Sequence, residues 1–147
     1  ACCWNGAAAS LFRGWLDGAH QRNLLRFVFL DETARRLIPS WQDRARRLLA
    51  EFRADFGHHF RDAQVTAFIA ELKAASPLFA RTWDGQDVQH RLGGERTFDH
   101  PERGPLCFEQ HSFSPLERPD HKLVLLIPVP PASQPRGAGV AATPPAA

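Results

Sequence analysis

The chain has 147 residues, 44% hydrophobic and 23% charged, a composition that fits one globular domain and excludes a disordered or membrane-spanning chain. Its 18 basic and 16 acidic residues leave a formal charge of +2 spread along the chain, too weak a field for this piece to bind nucleic acid by itself. The 3 cysteines, Cys2, Cys3 and Cys107, have neither the even number of a disulfide framework nor a C-x-x-C metal spacing, and are read as reduced cytosolic thiols.

The opening residues lack the basic and long apolar regions of a secretory leader. The longest apolar run, Leu123 to Ile127, is far short of the roughly 20 residues a membrane helix needs. A cytoplasmic protein without membrane contact is expected. The sequence starts without Met and contains none, as a piece of a longer protein would.

In chain order, Asn5 is placed to cap a short alanine-rich helix in which Ala8, Leu11, Phe12 and Trp15 recur at helical spacing. Gly14, Asp17, Gly18 and Gln21 then form a loop. Leu24 to Leu30 is too short and too uniformly apolar for periodicity to separate helix from strand, but Asp31, a good cap, favours helix on both sides. Pro39 stops that helix, and Ser40 is placed to cap a longer one with a single apolar stripe of Trp41, Ala45, Leu48, Leu49, Phe52 and Phe56. Asp43 suits its first turn, Arg47 lies four residues on as an ion-pair partner, and Gly57 ends it. Arg44, Arg46 and Arg53 fall mostly off the stripe and read as a solvated face. His58 and His59 are adjacent, point apart and do not make a metal pair.

Asp62 caps the next helix, with Val65, Phe68, Ile69 and Leu72 inward, and Ser76 with Pro77 starts a short one carrying Phe79 and Trp83. After Gly85 the pattern changes to turn residues between short runs. Asp87 to Arg91 and Arg96 to Phe98 read as a hairpin about Gly93 and Gly94, with a further turn at Gly104 and Pro105. Leu106 to Phe113 reads as a strand with Leu106 and Phe108 on one face. Lys122 to Val129 reads as a strand buried on both faces. Helices followed by antiparallel strands define an α+β fold with helices packed on one face of the sheet. Residues 1–130 form the domain, and 131–147, rich in Pro and Ala, a flexible tail.

Catalytic signatures are missing: no G-x-S-x-G, no Gly-rich phosphate loop and no H-E-x-x-H. Asp99, His100, Glu102, Glu109 and His111 gather titratable groups near Cys107, yet they read more simply as polar residues of an outer sheet face. No enzyme activity, cofactor or metal is expected. The prominent feature is 11 Phe and 4 Trp with no Tyr. Their helical stripes make either a packed core or an apolar ligand cavity.

Asn23-Leu24-Leu25-Arg26, followed by Phe29-Leu30-Asp31-x-x-Ala34-Arg35-x-Leu37-x-Pro39-x-Trp41, resembles the ligand-binding domain of MmyB-like transcription regulators. Trp4-Asn5, Leu11-Phe12, Ser76-Pro77-x-Phe79 with Trp83, Asp87-Val88, His100-Pro101 with Gly104, and Leu123-Val124 extend the likeness in order. The resemblance implies a PAS-like sensor with the first strand or strands missing, so that Lys122 to Val129 has one unpaired edge. It implies an effector-sensing domain, able to form a homodimer, that contacts DNA only through a helix-turn-helix domain outside this sequence. The implied effector is a fatty acid or other apolar small molecule; if an acyl chain binds, the lining expected from the apolar stripes is Phe27, Leu30, Trp41, Leu48, Phe52, Phe79, Trp83 and Phe108, and charge and strand position put Arg91 or His100 nearest a carboxylate. Gln110 and Leu126 stand where the family often has Tyr. A dimerisation or protein-interaction module with a solid core is the alternative.

Overall fold

The computed structural model describes residues 1–17, 22–56, 62–85, 94–118 and 121–129. Among them run α1 (Gly6–Leu11), α2 (Leu24–Leu30), α3 (Glu32–Leu37), α4 (Trp41–Phe56), α5 (Ala63–Ala75) and α6 (Pro77–Asp84), then β1 (Glu95–His100), β2 (Gly104–Phe113) and β3 (Leu123–Pro128). The fold is α+β.

Most helix starts follow the local chemistry. Side-chain oxygens of Asn5, Asp31, Asp62 and Ser76 accept from the backbone N–H of Ala8, Thr33, Gln64 and Phe79, satisfying donors that a first turn leaves orphaned. The ambiguous run after Asn23 is helical because Asn23 caps it, accepting from Leu25 and Arg26. Leu25, Phe27, Val28 and Phe29 are all buried, so α2 is enclosed around most of its circumference and shows no apolar period.

Three details of α4 depart from the expectation. Ser40 sits in the left-handed region at φ 50, and its carbonyl, rather than its hydroxyl, engages the first turn, accepting from Asp43 and Arg44. Asp43 pairs with Arg46 at 2.8 Å, not with Arg47. Arg53 is no solvated residue: it donates to the carbonyls of Thr82 and Gly85 and lies 4.8 Å over the Trp83 ring, fastening α4 to α6.

The sheet order is β1-β2-β3, antiparallel throughout. His100 pairs with Gly104 around a tight turn, and Gly104 takes φ +70, which a glycine adopts at little cost. Gly104 and Pro105, expected as a turn, therefore open β2. Asp87 to Arg91 and the tail from Pro130 lie outside the described residues, as do Gly57, His58 and His59.

Strand alternation sends Phe98, His100, Leu106, Phe108 and Leu126 toward the helices and Thr97, Cys107, Glu109 and His111 to the opposite face. The expectation of two-sided burial fails for β3. Leu123, Leu125 and Ile127 are 55%, 42% and 49% exposed, because among the described residues nothing covers the outer face. Its second edge is likewise unpaired among them. The core lies between α2, α4, α5 and α6, centred on Phe29, Leu49, Leu72 and Phe79.

Candidate functional site

The aromatic residues order themselves into two chains of touching rings. In one, Phe79 meets Phe29 edge-on at 5.0 Å and stacks on Trp83 at 5.6 Å, and Trp83 lies 6.4 Å from Phe52. In the other, Phe27 stacks on Trp15 at 5.4 Å; Phe12 then bridges Trp15 to Phe98, which meets Phe108 at 5.9 Å. Edge-on and offset-stacked rings each add about 0.5–1.5 kcal/mol beyond area burial. The rings fill the space between one another.

The residues expected to line an apolar site are thus distributed rather than gathered around one void. Phe52, Phe79 and Trp83 share the first ring chain, while Phe27 and Phe108 belong to the second. Leu48 packs half-buried against the core. Trp41 is half-buried with its N–H held by the Val28 carbonyl at 2.6 Å. Leu30 is 38% exposed on the outside of α2. Arg91 lies outside the described residues.

A cavity of about 410 Å³ opens elsewhere, where the end of α1, one face of α3 and the β1–β2 turn meet. Leu11, Leu37, Pro101 and Pro105 give it apolar walls, and Thr33, Arg13, Arg36 and Asp99 give it polar ones. Its volume falls within the roughly 300–1,000 Å³ usual for small-molecule sites. Arg13 is tied to Glu102 at 2.5 Å. Arg36 has no hydrogen-bond or ion-pair partner among the described residues, so its guanidinium is available to an anionic group at the rim.

His100 also lines this cavity but is 3% exposed and engaged on both sides. Nδ1 accepts from the backbone N–H of Glu102 and Arg103 at 3.1 and 3.2 Å, which assigns the ring proton to Nε2, 3.2 Å from the Ser10 carbonyl. That carbonyl is one of those α1 leaves unsatisfied at its C-terminal end. The histidine therefore joins α1 to the β1–β2 turn and has no donor left for a ligand. Sequence reading missed Arg36 and Leu37. Their one signal was the i, i+3, i+4 spacing of Thr33, Arg36 and Leu37 on one face of α3, which becomes a wall only when the distant turn closes over it.

The titratable cluster near Cys107 does not assemble into a catalytic set. His100 faces inward, Glu102 binds Arg13, and Glu109 with His111 forms an exposed pair at 3.4 Å on the outer face. The Cys107 thiol donates to Glu95 at 3.1 Å, and that hydrogen bond with the carboxylate charge raises its pKa, the opposite of what an activated nucleophile requires. Among the described residues no three His, Cys, Asp or Glu side chains gather as metal ligands, and no helix is long and apolar enough to cross a membrane.

Helices laid over one face of an antiparallel sheet define an α+β domain, and the cavity at their junction is its candidate ligand site. The chain belongs to the family of MmyB-like transcription regulator ligand binding domains, which it matches over residues 2–138. It is thereby a ligand-binding domain of a transcription regulator, a family of regulators rather than of enzymes. No curated protein matches it, and no solved structure does.

Proposed function

We propose that this domain senses an apolar carboxylic acid, a fatty acid being the simplest, and that occupancy adjusts DNA binding by a helix-turn-helix domain of the same regulator. The cavity between α1, α3 and the β1–β2 turn carries the reading. Its walls of Leu11, Leu37, Pro101 and Pro105 suit an acyl chain, and Arg36 suits the carboxylate, for which a guanidinium offers paired donors. None of the Phe and Trp rings lines this cavity: Phe27, Phe108, Phe52, Phe79 and Trp83 belong to the packed core that holds the helices on the sheet, and Trp41 ties the start of α4 to α2.

Titration with decanoate, following tryptophan fluorescence and melting temperature, tests this reading. Ligand at 100 times its Kd stabilises the folded state by about 2.7 kcal/mol, so a saturable rise in Tm is expected. No saturable change in either signal overturns it.

The packed rings and the bare edge of β3 favour a second reading, a module that associates through that edge. Leu125 and Ile127 are 42% and 49% exposed beside an edge unpaired among the described residues, and such strands template pairing with another chain. Sedimentation analysis of the native chain and of Leu125→Lys separates the two. A dimer lost in the variant, with no decanoate response in either, establishes the second reading.

A further inference from the structure

We infer that the chain carries a second, polar ligand site between the start of α4 and β1, and that this site takes a small oxyanion, a carboxylate or phosphate group. The pocket there measures about 210 Å³ and is lined by Pro39, Ser40, Asp43, Arg44, Arg47 and Thr97. It shares no residue with the cavity under α1 and α3, so it stands apart from the apolar effector site.

Its electrostatics are incomplete as the chain stands. Arg44 and Arg47, one turn apart on α4, project toward the same space, and no acceptor among the described residues engages either of them. Nε of Arg47 is buried and has no hydrogen-bond acceptor among the described residues, so nothing there offsets its desolvation. A third guanidinium, that of Arg96 on β1, stands close enough to act on Arg44. Burial first, then Arg96 and Arg47, lowers the Arg44 pKa against a smaller opposing pull from Glu95.

The neighbouring carboxylates do not resolve this crowding. Asp43 is paired with Arg46 at 2.8 Å, while Glu95, which accepts from the neutral Cys107 thiol at 3.1 Å, keeps its charge and is the one carboxylate among the described residues that acts on Arg44. Arg44 and Arg47 thus outnumber it around a small concave space bounded by Pro39, Ser40 and Thr97. An oxyanion with two or more acceptor oxygens meets the guanidinium forks of Arg44 and Arg47 together and offsets the repulsion between them.

The test titrates the full chain with inorganic phosphate, and separately with acetate, each against chloride at matched ionic strength, reading Tm and amide chemical shifts. The expected result is a saturable response to at least one anion, with shifts centred on Ser40, Arg44 and Thr97. The anion that saturates at lower concentration names the group. Arg44→Gln and Arg47→Gln should each weaken that response at least tenfold while leaving the anion-free Tm unchanged or higher, since each removes one of the repelling charges. A response that fails to saturate, or that persists unchanged in both variants, overturns the site. Should a variant not fold, the native shifts decide: changes scattered away from Ser40, Arg44 and Thr97 overturn it equally.

Discussion

The indole N–H of Trp41 donates to the backbone carbonyl of Val28 across 2.6 Å, so the first residue of α4 satisfies a carbonyl that the C-terminal turn of α2 leaves open. The Arg35 guanidinium lies 4.8 Å over the same ring. One side chain thereby fixes the angle between two helices separated by the Pro39 break. Trp41→Phe keeps an aromatic ring and removes the donor. The expected loss is about 1–2 kcal/mol, the cost of a hydrogen bond plus a half-buried orphan carbonyl, read as a lower urea midpoint at unchanged slope.

His100 plays the matching role at the other end of the helical layer. Replacing it by Phe preserves bulk and leaves the Ser10 carbonyl and the N–H groups of Glu102 and Arg103 without partners. A destabilisation of about 2–4 kcal/mol is expected from these partly solvated orphans, measured by chemical denaturation. A His100→Phe protein as stable as the parent would show that the ring serves only as filler.

Acid should weaken the tie between α2 and α5. Arg26 hydrogen-bonds both carboxylate oxygens of Glu71, and that bond, reinforced by the Arg26 charge, holds the Glu71 pKa below the ordinary carboxylate value. A folded-state pKa depressed in this way contributes stability that is fully present above the unfolded value and is lost as pH falls through the folded one. Glu71→Gln should be the less stable protein at neutral pH, and the difference should close in acid and shrink in high salt, followed by Tm against pH.

Arg36 separates head-group recognition from folding. Its side chain has no partner among the described residues, so Arg36→Gln should leave the ligand-free Tm unchanged. A charge-assisted hydrogen bond contributes about 1.5–3 kcal/mol, so the variant should bind decanoate about tenfold more weakly or worse. Arg35→Gln is the control, since Arg35 turns toward Glu32 and the Trp41 ring. Equal decanoate affinity in Arg36→Gln and the native chain removes Arg36 from the site.

Much of the helical layer was legible beforehand because the signals are local. A cap at Asn5, Asp31, Asp62 or Ser76 acts on an N–H two or three residues away, and Pro39 and Pro77 act on their own backbone. Family membership was legible in the ordered pieces from Trp4 to Leu123. The burial of β3 was misread for a physical reason: an apolar run records that a strand prefers cover, while the presence of that cover depends on other segments. Arg53 was misread because its acceptors lie about thirty residues away, beyond any periodicity.

By itself, then, the order of amino acids determined where helices begin and stop, which residues are apolar enough for a core, the α+β class and the regulator family. Only the tertiary structure decided that the aromatic rings pack against one another, that a cavity opens beside Arg36, and that His100 joins the β1–β2 turn to the end of α1. Those outcomes rest on contacts such as Ser10 with His100, 90 residues apart, and no local preference encodes which distant groups will meet.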